Sequence, residues 1–181
     1  MTTLTSTVRD CDEGERRWFS GGGVHTWKAT ESDTGGAFLL FEDALDQGKA
    51  TPLHQHPHAE ETFYMLEGEI LLALDGQQRT LHAGGSAVIP RGVPHAFLVT
   101  SRRARMLCLQ TPGGGESFYR IASTPAVDGQ PPPPVDFDRV RQAAAATGTI
   151  VILGPPPFSA SESPGPRARH HKLAIAHYRP D

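Results

Sequence analysis

The sequence predicts an all-β domain, a sandwich or closed barrel of short strands. Three observations carry that expectation. Glycine and proline supply 19 and 16 of the 181 residues, and both punctuate turns and interrupt helix interiors. Between Trp18 and Thr111 the chain runs as eight short apolar stretches separated by turn-forming clusters, the spacing of a multi-stranded β-domain. Within it, Leu72-Ala73-Leu74-Asp75-Gly76-Gln77 sets Asp-Gly between two such stretches, a strong local hairpin signal because both residues accept positive φ.

Taken in order, residues 1–17 are polar and read as a flexible leader. The expected strands are Val24–Thr30, Gly36–Glu42, Thr62–Leu66, Glu69–Leu74, Gln78–Leu81, Ser86–Ile89, His95–Thr100 and Arg105–Gln110. Turns are expected at Ser32–Gly36, Asp46–Gly48, Glu67-Gly68, Asp75-Gly76, Ala83–Gly85 and Pro90–Gly92, each built from residues that favour tight backbone reversals. The barrel unit is placed at residues 18–125, with a short helical turn over Glu116–Ile121. Residues 126–158 form a Pro-rich linker and a docked helix. Pro131–Pro134 is extended, and Asp136–Thr147 reads as a helix with Asp136 as N-cap, a thin apolar face of Phe137, Val140 and Ala144, and Gly148 as stop. The apolar segment Thr149–Leu153 is kept out of the core because ten of the sixteen prolines lie from Pro131 onward. Residues 159–181 carry little to bury and are expected to be disordered.

The net charge is −3, which gives no basic field for a nucleic acid. No apolar run reaches the roughly 20 residues a membrane helix needs, and the first ten residues lack the apolar core of a secretion signal. Cys11 and Cys108 are the only cysteines. One lies in a polar leader and one in an apolar strand, so both read as free thiols in a reducing cytoplasm.

Chemistry concentrates in the histidines, five of nine lying between His54 and His95. His54 and His56 are two apart, which puts both rings on one face of an extended segment. A carboxylate follows after a short turn, at Glu60 or Glu61. Two imidazoles and a carboxylate are the makings of a transition-metal site, and His95, after the Pro90–Gly92 turn, is the candidate fourth donor. The count to Gly68 and the alternation through Phe63 and Met65 favour Glu61 over Glu60. His58 shares the spacing, but Pro57 and Ala59 place it in a loop.

Gly48, His54, His56, Glu61 and Gly68, followed after 15 intervening residues by Gly84, Pro90, Gly92 and His95, match the two motifs of the cupin superfamily in order and spacing. Over about Gly36 to Gln110 the chain resembles a small single-domain bacterial cupin of the quercetin 2,3-dioxygenase-like type. Val99 stands where the second motif often carries Asn. The resemblance implies a double-stranded β-helix, the jelly-roll barrel, with a short C-terminal helix outside it. It also implies a single divalent transition metal (Fe, Mn, Ni, Co or Zn) held by His54, His56, Glu61 and His95.

If Glu61 and His95 point inward, alternation sends Phe63, Met65, Phe97 and Val99 inward too, with Phe38 and Leu40 as neighbours. These six are the expected substrate pocket, and ordinary barrel core is the plainer reading of the same pattern. Trp18, Phe19 and Trp27 are candidates to cover one mouth. The resemblance implies a metal-dependent dioxygenase of a small aromatic or enolic, flavonol-like substrate, with Glu61 as general base. The alternatives are a metal-dependent isomerase or cyclase that needs no O2, and a binding cupin without turnover. A homodimer is expected by the same resemblance, and neither nucleic acid nor membrane is an expected partner.

Overall fold

The structure, a computed structural model, describes residues 4–159. Of the expected disordered tail, residues 160–181 lie outside the described residues.

Among the described residues, twelve strands form two antiparallel sheets. In chain order they are β1 (Arg16–Phe19), β2 (Val24–Ala29), β3 (Leu39–Asp46), β4 (Leu53–Gln55), β5 (Glu60–Glu67), β6 (Glu69–Leu74), β7 (Gln77–His82), β8 (Ser86–Ile89), β9 (His95–Val99), β10 (Arg103–Thr111), β11 (Ser123–Pro125) and β12 (Val151–Gly154). Three helices complete it: α1 (Glu31–Thr34), α2 (Glu116–Ile121) and α3 (Phe137–Thr147). One sheet has the order β11-β1-β2-β3-β10-β5-β8 and the other β12-β4-β9-β6-β7. Two facing antiparallel sheets with consecutive strands exchanged between them make the double-stranded β-helix.

Alternation sets the core. β10 buries Ala104, Met106, Cys108 and Gln110, every second residue, and β3 buries Leu39, Phe41, Asp43 and Leu45. Their apolar members pack with Phe63 and Met65 of β5, Ile70 and Leu72 of β6, and Phe97 and Val99 of β9. The β6–β7 hairpin turns on Asp75 (φ 50) and Gly76 (φ 73), both left-handed as expected for Asp-Gly. Gly68 carries two constraints. Its φ is 77, and a Cβ there would stand 2.1 Å from the carbonyl oxygen of Arg103, so the β5–β6 corner tolerates no side chain.

Among the described residues, the segments before β2 and after β10 are more ordered than the sequence pattern suggests. The expected leader runs into β1, and residues before it are tied down: Arg9 donates to the Lys28 carbonyl (2.8 Å), and Lys28 donates to the carbonyls of Asp10, Cys11 and Glu13. The expected turn at Ser32–Gly36 is a one-turn helix, α1, ended by Gly35 at φ 63. Helix α3 is capped by Asp136, which accepts from the Arg139 N–H at 3.0 Å, and stopped by Gly148 in the left-handed conformation. It docks through Val140, Ala143 and Ala144, while Phe137 stays 39% exposed. Segment 151–154, kept out of the barrel by its prolines, joins it as edge strand β12, with Ile152 paired to His54. An edge strand needs only one partner, so prolines on either side do not forbid it.

Candidate metal centre

The site lies where the two sheets meet at one end of the barrel. β4 is three residues long and pairs with β9 through a single cross-strand pair, His54 with His95. Glu61 comes from the opposite sheet, paired to Gln110 on one side and Ile89 on the other. His56 follows β4 and is held where its carbonyl accepts from the Gly92 N–H at 2.9 Å. The Pro90–Gly92 turn thus ties the first histidine pair to the approach of His95.

One donor atom from each of His54, His56, Glu61 and His95 lies within 4.8 Å of all the others. Donors about 2.1 Å from a shared ion stand roughly 3 to 4.2 Å apart, so little contraction is needed. All four residues are buried. His54 and His95 are oriented by backbone carbonyls, Nδ1 of His54 on Pro52 O (2.9 Å) and Nδ1 of His95 on Val93 O (3.0 Å). A carbonyl cannot donate, so each Nδ1 carries a proton and each ring is turned with its Nε2 toward the shared centre. Nε2 of His56 is buried without a hydrogen-bond partner. An orphaned imidazole nitrogen beside two oriented ones and a carboxylate fits a metal ion.

Glu61 is held from both sides. Its Oε1 accepts from Gln110 Nε2 (2.9 Å) and from the Cys108 thiol (3.2 Å), and its Oε2 faces His95 Nε2 (2.9 Å) and His56 Nε2 (3.4 Å). Gln110 Nε2 also donates to Tyr119 Oη at 2.7 Å. Burial pushes the Glu61 carboxyl up, and His56 and His95 more than offset it, holding it well below the usual carboxylate range. Burial, reinforced by His95 and His56, pushes His54 down to about 3, so it is a neutral donor at neutral pH, as a ligand must be. Burial and the Glu61 charge push the Cys108 thiol well up, which keeps it a neutral donor.

The site opens onto a narrow cavity lined mostly by apolar and aromatic side chains. Phe63, Phe97 and Cys108 line it beside the metal end, Phe19, Phe41 and Phe118 line its far wall around His25, and Tyr119 reaches from His25 to Gln110 between them.

Comparison with known proteins agrees with this geometry. The family model described as "Cupin domain" matches residues 41–110. Quercetin 2,3-dioxygenase of Bacillus subtilis is 32% identical over 144 residues, 77% of this chain and 42% of that protein. Among solved structures, KdgF from Halomonas sp. superposes with a TM-score of 0.55 at 19% identity, over 60% of this chain and 94% of that one. An RmlC-like cupin from Shewanella frigidimarina gives 0.53 at 20% identity, over 61% and 95%. The chain belongs to the cupin superfamily. It spans less than half the length of the curated Bacillus relative.

In this cupin the four expected donors converge, while Glu60 points away and binds Arg91 (2.8 Å). His58 is exposed. The expected pocket needs correction. Phe63 and Phe97 line the cavity. Met65 and Val99 are wholly buried in the hydrophobic core instead of on the cavity wall. Phe38 and Leu40 are out of phase: β3 turns Leu39 and Phe41 inward. Phe38-Leu39-Leu40-Phe41 is apolar throughout, so it holds no alternation from which to read a phase. Sequence reading also passed over Gln110 and Tyr119. The signal for Gln110 was a polar residue in step with Ala104, Met106 and Cys108; Tyr119, on a helix, offered none.

Proposed function

We propose that this cupin is a metal-dependent dioxygenase of a small aromatic or enolic substrate, with His54, His56, Glu61 and His95 as ligands to one divalent transition metal. The observation that carries the reading is the convergence of four buried donors, one of them an imidazole whose Nε2 makes no hydrogen bond, at the end of an aromatic-walled cavity. Similarity to the Bacillus quercetin 2,3-dioxygenase supports oxygen chemistry on such a substrate. Three His and one Glu leave positions for a chelating substrate oxygen and O2, and an ion there supplies Lewis acidity and a meeting point for both. Phe63 and Phe97 bind the apolar body of the substrate and exclude water. Gln110 holds Oε1 of Glu61, which leaves Oε2, beside His56 and His95, as the donor to the ion; Glu61 would serve as base toward a substrate hydroxyl when Oε2 leaves the ion.

The test is metal content of the wild type beside His56→Ala by inductively coupled plasma mass spectrometry, followed by oxygen-electrode assays with flavonols and other enolic compounds. The expected result is one Fe, Mn, Ni or Co per chain in the wild type and its loss in the variant. With four donors sharing roughly 10–16 kcal/mol of binding free energy, one donor is worth about 3 kcal/mol, more than a hundredfold in affinity. Product formed at an equal rate without O2 would replace the dioxygenase with Lewis-acid chemistry. Metal without any product would leave a binding protein.

A further inference from the structure

The far wall of the cavity holds a second polar constellation that the metal reading does not use. His25 and Asp43 are directly paired across β2 and β3, and both side chains point inward. They are 5% exposed each, and Nδ1 of His25 is in contact with a carboxylate oxygen of Asp43. The imidazole is wedged edge-on against Phe19 (4.7 Å between centroids) and Phe41 (4.9 Å), with Tyr119 at 5.4 Å. Its other nitrogen, Nε2, is buried without a hydrogen-bond partner, although His25 lines the cavity. A carboxylate on Nδ1 fixes the proton there and leaves Nε2 as the acceptor. Lys49 also lines the cavity. It donates to the Gly21 carbonyl and stands over the Phe19 ring at 5.3 Å.

A histidine whose only role is packing gains nothing from an unpaired nitrogen, because a buried polar atom left unsatisfied costs about 1–3 kcal/mol. We infer that the His25–Asp43 pair is a second anchor of this cavity, binding and deprotonating the hydroxyl of a phenolic or enolic ligand. The ligand's O–H bond breaks and its proton moves to Nε2 of His25. Asp43, the positioning residue, stays ionised against the resulting imidazolium, and Lys49 faces the developing oxyanion. In ideal sheet geometry, two strands over and four residues along put Asp43 about 16 Å from Glu61 between Cα atoms. The side chains close much of that span, Tyr119 standing 5.4 Å from the His25 ring and 2.7 Å from Gln110, which donates to Glu61. The inference does not depend on a metal being present.

The probe is 4-nitrophenol, colourless as the phenol and yellow as the phenolate, titrated with metal-loaded protein at a pH below its own ionisation. Wild type is expected to bind it as the phenolate. His25→Gln, which keeps size and polarity but cannot take the proton, should lose the phenolate band, and the probe should bind on the order of tenfold to a hundredfold more weakly, the worth of a charge-assisted hydrogen bond. Asp43→Asn guards against a folding defect in the first variant and should also lose the band, since the fixed tautomer is gone. His56→Ala separates the two ends: the band persists there if His25 is the base. Phenolate binding that survives both His25→Gln and Asp43→Asn, or that disappears in His56→Ala alone, would overturn the inference, as would no binding by wild type.

Discussion

The two ends of the cavity are built from the same kinds of residue and differ in how the chain assembles them. At the metal end, His54 and His56 are two residues apart, Glu61 follows five later, and His95 is positioned by its own short turn. Each relation is local, so spacing alone announces the cluster. At the far end, His25, Asp43 and Lys49 come from two strands and a loop, and Tyr119 from a helix. Nothing links them along the chain, and only the cross-strand pairing of β2 with β3 sets His25 against Asp43. Sites written in local spacing are legible in a single sequence. Sites written in register appear once the sheet is laid down.

The largest expected effect probes that register. Phe41 is wholly buried and wedges His25, whereas Leu40 lies on the opposite face of β3. Phe41→Ala should cost about 3–5 kcal/mol by leaving a cavity in the aromatic wall, and Leu40→Ala less than about half of that. Chemical denaturation of the two variants checks the difference. Equal losses would mean that β3 presents both residues alike, and the far end would lose its wall.

A smaller effect tests the support of the metal end. Gln110 reaches the proposed ligand set only through Glu61. Replacing it with Leu keeps the volume, removes the donor to Oε1, and leaves Tyr119 Oη short of a partner. Metal affinity should fall about 10–100-fold, the usual worth of a residue that orients a ligand, with the fold intact by circular dichroism. Competition with a chromophoric chelator measures it, and unchanged affinity would show that Glu61 is placed by its strand alone.

How much could be read beforehand follows the same division. The barrel strands, the Asp75-Gly76 hairpin, α3 with both caps and the four converging donors follow from alternation, turn chemistry and motif spacing. β1, β4, β11 and β12 are three or four residues long, too short for a period to show, and each is held by partners far along the chain. Asp43 also misleads in a physically simple way. A carboxylate among apolar neighbours reads as the solvent side of a strand, yet it sits in phase with Leu39, Phe41 and Leu45.

The smallest effect concerns what the far end costs. Burial lowers Lys49 from the ordinary lysine value to about 8, against the pull of Asp43 in the other direction. Below about pH 8 the ammonium is charged in both folded and unfolded chains, and the folded state carries the desolvation penalty in full. Between about 8 and the unfolded lysine value near 10.4, the folded chain releases its proton first, so the unfolded chain binds more protons and stability rises with pH. Lys49→Met should remove that rise and stabilise the protein at neutral pH by about 1 kcal/mol, a figure reduced well below the full shift because the side chain keeps some solvent. Thermal unfolding at pH 7 and pH 10 checks both the gain and the missing slope. If the far end is a working anchor, the more stable variant also binds 4-nitrophenolate more weakly, the usual opposition of stability and function at a polar site set into an apolar wall. A variant with neither the gain nor the weaker binding would mean that the ammonium remains fully solvated and that the His25–Asp43 pair has no cation beside it.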